Sequence, residues 1–266
     1  MSRNEPDGGY RTKKRFGQHF LHDQSVIERI LRALNPKADD SLVEIGPGLG
    51  ALTLPLLQRI ENLTVVELDR DVIPHLRAAT HNTPGLTIIE ADALTVDYGA
   101  LAPVGGQLRL IGNLPYNIST PLLFHLLRYA AQVRDMHFML QKEVVDRMCA
   151  AADDDDYGRL TVTLAARAEC HKLFHVGPGS FSPPPRVDSA IVRVTPRPTP
   201  FPLADFDRYD RVVTAAFSQR RKTLSNALKN LLDGDAIRAA GVDPQARAET
   251  LAPEAFGRLS MQLPTR

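Results

Sequence analysis

The segment Asn113-Leu114-Pro115-Tyr116 combines residue types that suit chemistry on an aromatic exocyclic amine. Such an amine is a poor nucleophile because its lone pair is delocalised into the ring. The Asn113 side-chain oxygen and a neighbouring backbone carbonyl can accept its two hydrogens, which aims the lone pair at an electrophilic methyl group. Pro115 would stiffen the turn and Tyr116 would stack on the base, so positioning and electrostatics would suffice without a strong base. An ordinary Asn/Pro turn is the alternative interpretation.

Three further positions precede Asn113 at intervals of one strand–helix unit. Gly46 follows the first predicted strand of the sheet, Glu67 ends the second, and Asp92 follows the third. In an open parallel sheet, ligands bind beyond the carboxyl ends of the strands. We therefore expect the four positions to lie along one edge of the sheet, around a single extended nucleoside ligand.

Each of these positions is ambiguous when taken alone. The loop Gly46-Pro-Gly48-Leu-Gly50 lets the backbone approach a ligand at the head of a helix, or it is a tight strand-to-helix turn. Glu67 can accept the ribose hydroxyls of NAD as well as those of S-adenosylmethionine. Asp69 competes for that role or caps the next helix, and Asp92 accepts an adenine amine or is a plain loop acid. The residues alone leave the cofactor open.

Short apolar runs that alternate with segments of helical period must position these residues. This alternation predicts an α/β fold in which helices cover a parallel sheet. The sequence Ser25-Val-Ile-Glu28 predicts a capping box at the start of a helix that ends at Leu34, and Asp153–Asp156 is expected to form an exposed loop. The predicted strands are Leu42–Ile45, Thr64–Glu67, Leu86–Glu90, Leu108–Ile111, Met136–Leu140 and Ile191–Val194.

Alternate prolines in Thr195–Pro200 predict a stiff connector and a domain boundary near residue 200. The remainder reads as all helix, with helices predicted at Asp205–Ala216, Arg220–Leu232 and Pro253–Leu263. Residues 1–10 are expected to be disordered.

The composition is that of a globular protein, with 266 residues and a formal net charge of +1. No apolar run approaches the roughly 20 residues of a membrane span, and the N-terminus does not read as a signal peptide. Cys149 and Cys170 suit a reducing compartment, so a cytoplasmic location is expected. The histidines show no ligand spacing, so no metal site is expected. Basic residues cluster at Arg11–Arg15 and Arg220–Lys222, where they either follow a phosphate backbone or are solvated surface.

The Asn-Leu-Pro-Tyr segment resembles the signature of amino-group methyltransferases that act on adenine. Nearly the whole chain from residue 11 is similar to the KsgA-type ribosomal RNA adenine dimethyltransferases. The segments that carry this resemblance are Lys14-Arg-Phe-Gly-Gln-His-Phe-Leu21, Val43-Glu-Ile-Gly-Pro-Gly-Leu-Gly50, Val66-Glu-Leu-Asp69, Gly112-Asn-Leu-Pro-Tyr-Asn-Ile-Ser119, Met139-Leu-Gln-Lys-Glu143, Tyr157-Gly-Arg159, Phe181-Ser-Pro-Pro-Pro-Arg-Val-Asp-Ser189 and Phe217-Ser-Gln-Arg-Arg-Lys-Thr-Leu224.

The resemblance implies a Rossmann-like class I methyltransferase domain over residues 1–200, with a mostly parallel sheet. A small all-helical RNA-binding domain would follow over residues 201–266. It also implies S-adenosylmethionine as methyl donor, and as substrate two adjacent adenosines in the 3′-terminal hairpin loop of 16S ribosomal RNA, each dimethylated at N6. The chain is expected to be monomeric and to assist small-subunit biogenesis.

The resemblance also assigns roles to residues. The catalytic segment would be Asn113, Leu114, Pro115 and Tyr116, in which Asn113 and Tyr116 hold the target base. Phe181 would stack on the other face of the base unless it is purely structural. RNA phosphates would be bound by Arg220, Arg221, Lys222 and Lys229, and by Arg11–Arg15. Arg147 is a further candidate whose alternative is a surface ion pair. The donor contacts fall on His19, Leu21, Gly46, Gly48, Glu67, Asp92 and Asn113.

One departure from the family is that His19 stands where many members have asparagine. A neutral histidine can still accept a hydrogen bond from the methionine end of the donor, whereas a protonated one cannot, so pH sensitivity is expected.

Three rival functions remain open. The first is the related antibiotic-resistance methyltransferase of large-subunit ribosomal RNA, against which Phe217–Leu224 argues. The second is a DNA adenine methyltransferase, which Leu114 and the helical domain disfavour. The third is an assembly factor in which binding of immature small subunits outweighs catalysis.

Overall fold

Nine strands and ten α-helices form in the computed structural model, which describes residues 18–81, 83–219 and 221–264. The strands are β1 (Phe20–Leu21), β2 (Ser41–Ile45), β3 (Leu63–Glu67), β4 (Leu86–Glu90), β5 (Leu108–Asn113), β6 (Val133–Gln141), β7 (Ala168–Val176), β8 (Phe181–Ser182) and β9 (Ser189–Pro196). The helices are α1 (Gln24–Leu34), α2 (Thr53–Leu57), α3 (Val72–Ala79), α4 (Ser119–Leu127), α5 (Lys142–Cys149), α6 (Arg159–Ala165), α7 (Phe206–Ala216), α8 (Leu224–Ala227), α9 (Gly234–Ala239) and α10 (Pro253–Met261).

The central sheet has seven strands in the order β4-β3-β2-β5-β6-β9-β7. The pairs β3/β4, β2/β3, β2/β5 and β5/β6 are parallel, and β9 runs antiparallel to β6. All six predicted strands of this sheet are present, and the prediction of a mostly parallel, Rossmann-like fold is confirmed. The order reverses beside β2, where β3 lies on one side and β5 on the other, and ligands bind at such a switch point.

Helix α1 begins one residue before the predicted capping box. The Asp23 carboxylate accepts the backbone N–H of Ser25 at 2.9 Å, so Asp23 is the N-cap and the capping box from Ser25 to Glu28 was a wrong prediction. Because a carboxylate at the N-cap satisfies the free amides of the first turn, Ser25 is left inside the helix. The helix ends as predicted, with Asn35 in the left-handed conformation at φ 48°.

Three strands were missed by the sequence reasoning. Strand β7 carries charged and histidine residues through Glu169-Cys-His-Lys172, so it has no apolar run to reveal it. Strands β1 and β8 have two residues each and form a separate antiparallel pair, in which Leu21 lies opposite Phe181. Pairs this short depend on tertiary contacts and leave no periodic signal.

The chain divides into two compact units. The first unit comprises residues up to Lys142 together with His171–Pro196, and therefore holds most of the central sheet. Its core is built from apolar residues of α1, α2, α3 and the strands, among them Ile27, Ile30, Leu56, Val65, Leu76 and Ile111, each at most 2% exposed. These side chains fix the helices against the sheet whose carboxyl edge carries the candidate site.

The second unit comprises Glu143–Cys170 and the residues from Arg197 onward. Its boundary at Arg197 lies close to the predicted position near residue 200. Residues 143–170 belong to the same unit as the C-terminal helices, which the sequence did not predict. Tyr209, Leu224, Leu228 and Phe256 are among its fully buried core residues. Among the described residues, no helix has the length and apolar character that would let it cross a membrane.

The predicted helix Arg220–Leu232 was wrong, because among the described residues 221–232 only the four residues of α8 are helical. The backbone N–H of Leu224 donates to Ala246 at 2.9 Å and that of Ser225 donates to Pro244 at 2.9 Å. Thr223 also forms an antiparallel bridge with Arg247. These tertiary hydrogen bonds compete with helical ones, so local propensity is overridden.

Candidate active site

A cavity of about 350 Å³ opens at the carboxyl edge of the sheet, within the first unit. Its volume lies in the range of small-molecule sites, roughly 300–1,000 Å³. The structure brings ten of the predicted site residues together in its lining: His19, Leu21, Gly46, Gly48, Glu67, Asp92, Asn113, Leu114, Pro115 and Tyr116. The expectation that four strand ends would meet along one edge is therefore met.

The glycine loop forms one wall of the cavity. Gly46 donates its N–H to Val66 at 2.9 Å and has φ +68°, while Gly48 has φ +54°. A Cβ on Gly48 would lie 3.0 Å from the Phe20 ring, so a side chain there would meet both strain and crowding. Helix α2 begins at Thr53, after the loop. The loop thus presents bare backbone to the cavity.

Glu67 is 9% exposed and lines the cavity beside this loop. Its carboxylate accepts the N–H of Asp69 at 2.8 Å and that of Gly48 at 3.4 Å. Burial raises the pKa of Glu67, although these backbone hydrogen bonds act in the opposite direction. Asp69, the competing candidate, accepts a hydrogen bond from Gln18 at 2.9 Å and is absent from the described lining residues. The geometry therefore favours Glu67 as the polar group of this wall.

Asp92 and Leu21 stand at two other parts of the lining. One carboxylate oxygen of Asp92 accepts the N–H of Leu94 at 2.9 Å, which orients the side chain. Leu21 is 5% exposed and contributes to the core as well as to the cavity wall.

Glu44 is a cavity-lining acid that the sequence reasoning missed. It is 2% exposed and accepts a hydrogen bond from the Thr53 hydroxyl at 2.6 Å. Burial raises the pKa of Glu44 to about 8, and the nearby Glu67 acts in the same direction. A carboxylate inside the apolar run Leu42–Ile45 was the signal that could have revealed it, because an acid in a buried strand is rarely placed there for packing.

Asn113 ends β5 with its side-chain amide held in one orientation. Its Nδ2 donates to the backbone carbonyl of His19 at 2.9 Å. Since the nitrogen is used in this way, the side-chain oxygen is the atom left to accept hydrogen bonds from a ligand. That is the arrangement that activation of an exocyclic amine requires.

Tyr116 and His19 form the rim of the cavity next to Asn113. Their rings lie 6.0 Å apart between centroids with an interplanar angle of 26°. The Tyr116 hydroxyl shares a hydrogen bond of 2.8 Å with Ser189, and burial raises the pKa of Tyr116, so the phenol stays neutral. His19 Nδ1 lies 2.8 Å from the Pro183 carbonyl, which only accepts, so Nδ1 carries a proton.

Comparison with known proteins identifies the family. Residues 9–263 match the model of the family described as ribosomal RNA adenine dimethylase. The chain belongs to this family.

Relatives from bacteria align along nearly the whole chain. Ribosomal RNA small subunit methyltransferase A of Hahella chejuensis is 53% identical over 262 residues, covering 98% of this chain and 96% of that protein. The protein of the same name from Pseudomonas putida is also 53% identical, covering 96% of each chain.

Two solved structures share the fold of this ribosomal RNA adenine dimethylase family member. A dimethyladenosine transferase from Plasmodium falciparum superposes with a TM-score of 0.76 at 26% identity, covering 91% of this chain and 96% of that chain. The 23S rRNA methyltransferase ErmE superposes with a TM-score of 0.70 at 28% identity, covering 92% and 99%. The class I methyltransferase architecture that the family resemblance implied is thereby confirmed.

Phe181 is the one predicted base-contacting residue that the structure places elsewhere. It is 3% exposed, pairs with Leu21 through β8 and belongs to the hydrophobic core of the first unit. It is absent from the described residues that line the cavity. The packing therefore favours the structural interpretation of Phe181 over a sandwich with Tyr116.

The predicted RNA-binding residues that the structure describes fall in the second unit. Arg221, Lys222 and Lys229 are all exposed, although Lys229 lies in a turn and not on one helix with the other two. Arg147 makes an ion pair of 2.8 Å with Glu143, which supports its alternative interpretation. The remaining predicted cations, Arg220 and Arg11–Arg15, lie outside the described residues.

Proposed function

We propose that this chain transfers methyl groups from S-adenosylmethionine to N6 of two adjacent adenosines in the 3′-terminal hairpin loop of 16S ribosomal RNA. Each adenosine would become N6,N6-dimethyladenosine. The observation that carries the proposal is the Asn113 amide, which is anchored through its nitrogen at the cavity wall and leaves its oxygen for the target amine. The relatives of about 53% identity, which bear the name of a small-subunit enzyme, support the choice of RNA.

The cavity suits the proposed donor. Gly46 and Gly48 offer backbone to the methionine end, while Glu67 would accept the ribose hydroxyls and Asp92 the adenine amine. His19 and Leu21 complete the wall. NAD would meet the same ribose acceptor, but membership in an adenine dimethylase family favours S-adenosylmethionine.

S-adenosylmethionine supplies a methyl group on a sulfonium, which needs no further activation. The task of the protein is then to orient the amine. Asn113 Oδ1 and a backbone carbonyl of the Leu114–Pro115 turn would accept the two amine hydrogens, and Tyr116 would stack on the base. Tyr116 is neutral because burial raises its pKa, so its ring would provide a stacking surface and its hydroxyl would not act as a base. Methyl transfer would leave the amine positively charged, and the amine would then release its proton to water.

Exposed cations of the second unit would bind the phosphate backbone. Arg221, Lys222 and Lys229 carry no ion pair to another described residue, so they are free to neutralise phosphates. Contacts of this kind fix the register of the RNA rather than read its sequence. A monomeric state, a cytoplasmic location and a role in small-subunit biogenesis stay predictions.

A large-subunit substrate is the second candidate, because ErmE superposes over 92% of this chain at 28% identity. The higher identity to small-subunit relatives argues against it. A third possibility keeps the binding of immature subunits but makes methylation secondary.

The decisive experiment incubates the purified chain with labelled S-adenosylmethionine and undermethylated small subunits, followed by nucleoside analysis. We expect dimethyladenosine confined to the terminal hairpin loop, and its loss in a folded Asn113→Ala variant. Transfer to large-subunit RNA or DNA instead would keep the chemistry and overturn the substrate. Tight subunit binding without transfer, or an Asn113→Ala variant that corrects an assembly defect in cells, would favour the assembly factor.

A second pair of variants distinguishes the role of Tyr116 from that of Phe181. Tyr116→Ala should lose transfer while it retains the donor. Phe181→Leu keeps an apolar side chain in the core, so it should stay folded and active if Phe181 is structural. Loss of methyl transfer in a folded Phe181→Leu variant would instead support stacking of the base between Tyr116 and Phe181.

A further inference from the structure

The loop Pro183–Asp188, here called the rim loop, is anchored at both ends to the residues beside the cavity. At its start the Pro183 carbonyl accepts a hydrogen bond from His19 at 2.8 Å. Just after its end, Ser189 shares a hydrogen bond of 2.8 Å with the Tyr116 hydroxyl. The Asp188 carbonyl also accepts the N–H of Lys142 at 2.9 Å. The loop therefore lies next to His19 and Tyr116 at the rim of the cavity.

The tip of the rim loop carries Arg186 and Val187, and both are exposed. Arg186 is three residues from Pro183 and three from Ser189, so its Cα lies within about 11 Å of each anchor. The sequence Pro183-Pro-Pro185 restricts the backbone before the tip, so less freedom would be lost when a ligand binds.

The chemistry of the tip suits a nucleotide strand. Arg186 makes no ion pair within the described part of the chain, whereas the carboxylate of Asp188 lies 3.2 Å from His175 Nε2. Val187 is 45% exposed and is one of the few large apolar side chains on the described surface. A free guanidinium beside an exposed apolar group can pair with a phosphate while the apolar group covers a ribose or base.

We propose that the rim loop is a second RNA contact of this chain, in which Arg186 pairs with a phosphate next to the target adenosine and Val187 packs against the adjoining nucleotide. This inference rests on the proposed function, because it needs a nucleic-acid strand that enters the cavity past Tyr116. Arg186 binds substrate and takes no part in methyl transfer. Its loss weakens the capture of RNA and leaves the chemical step unchanged.

The test compares Arg186→Ala with wild type in steady-state methylation of undermethylated small subunits and in equilibrium binding of those subunits. We expect KM and Kd to rise on the order of tenfold with kcat nearly unchanged. The slope of log Kd against log salt concentration should fall by about 0.7–0.9, the contribution of one phosphate contact. Arg186→Lys should restore the slope, and Val187→Ala should raise KM by a smaller factor.

Arg32→Ala is the matched control, because Arg32 is an exposed cation of the same unit at the opposite edge of the sheet. That placement follows from Arg109, which is at the start of β5 and donates at 2.7 Å to the carbonyl of Leu34, the last residue of the helix that carries Arg32. Arg32→Ala should leave KM, Kd and the salt slope unchanged.

The outcomes separate the two proposals. If Arg186→Ala binds and methylates like wild type, with the same salt slope, the rim-loop contact is refuted while the proposed function stands. If wild type transfers no methyl group to small subunits, the proposed function fails. The binding titration still tests the loop in that case, since an unchanged salt slope in Arg186→Ala overturns it.

Discussion

The buried carboxyl of Glu44 should make the stability of the fold depend on pH. Its pKa is about 8 in the native state, against 4.5 for an ordinary glutamate, because burial disfavours the charged form. The contribution to stability is therefore fully present below pH 4.5 and is lost as pH rises towards 8. Each pH unit in that window lowers the free energy of unfolding by about 1.4 kcal/mol, so the loss between pH 5 and 7 is about 2–3 kcal/mol.

Glu44→Gln removes this titration while it keeps an oxygen that can accept the Thr53 hydroxyl. Urea denaturation at pH 5, 6 and 7 should show the variant gaining on wild type by about 2–3 kcal/mol over the series. Titrating groups that do not interact with Glu44 cancel in the difference between the two proteins, and the nearby Glu67 has little effect while Glu44 is neutral. Glu61→Gln is the matched control, because Glu61 is exposed. Parallel curves for wild type and Glu44→Gln across this range would refute the buried, protonated acid.

Three further changes test the fold around the site. Gly112→Ala places a Cβ against the Ile45 carbonyl, so urea denaturation should show a loss of about 1–3 kcal/mol, and wild-type stability would contradict the close strand contact. Asp23→Ala removes the N-cap of α1 and should lower the midpoint of thermal unfolding, whereas Ser25→Ala should lower it clearly less. Burial lowers the pKa of His137 to about 4, so the stability that its neutral form contributes is lost as pH falls from 6.5 towards 4. Urea denaturation of both proteins should therefore show His137→Leu gaining on wild type as pH falls over that range, and a constant difference would contradict the buried, neutral histidine.

The sheet could be predicted because its strands are short apolar runs separated by helical segments of similar length. Strand β7 escaped prediction because Ala168–Val176 carries histidine and charged residues at an edge of the sheet, where burial imposes no pattern. The error over Arg220–Leu232 has another origin. There the backbone N–H groups of Leu224 and Ser225 donate to Ala246 and Pro244, which are distant in sequence. No local sequence pattern predicts those partners.

The candidate site was predictable to the extent that it follows from strand ends. Glu67, Asp92 and Asn113 occupy equivalent positions in a parallel sheet, so their convergence follows from topology. The burial of Phe181 does not, because it depends on the two-residue pair of β1 with β8. The partner of Asn113 was equally hidden, since a backbone carbonyl carries no signature in the sequence.

The groups that we propose to hold the target base are each fixed by a hydrogen bond within the protein itself. Asn113 is fixed by the His19 carbonyl, the His19 ring by the Pro183 carbonyl, and the Tyr116 hydroxyl by Ser189. Catalysis that depends on positioning gains most when such groups need no rearrangement. If Asn113 receives the target base as proposed, the ordering cost falls on the RNA, because the base must leave its stack to enter the cavity. A single-stranded hairpin loop lowers that cost, which is a physical reason why an adenosine in a loop suits this site better than one in a duplex.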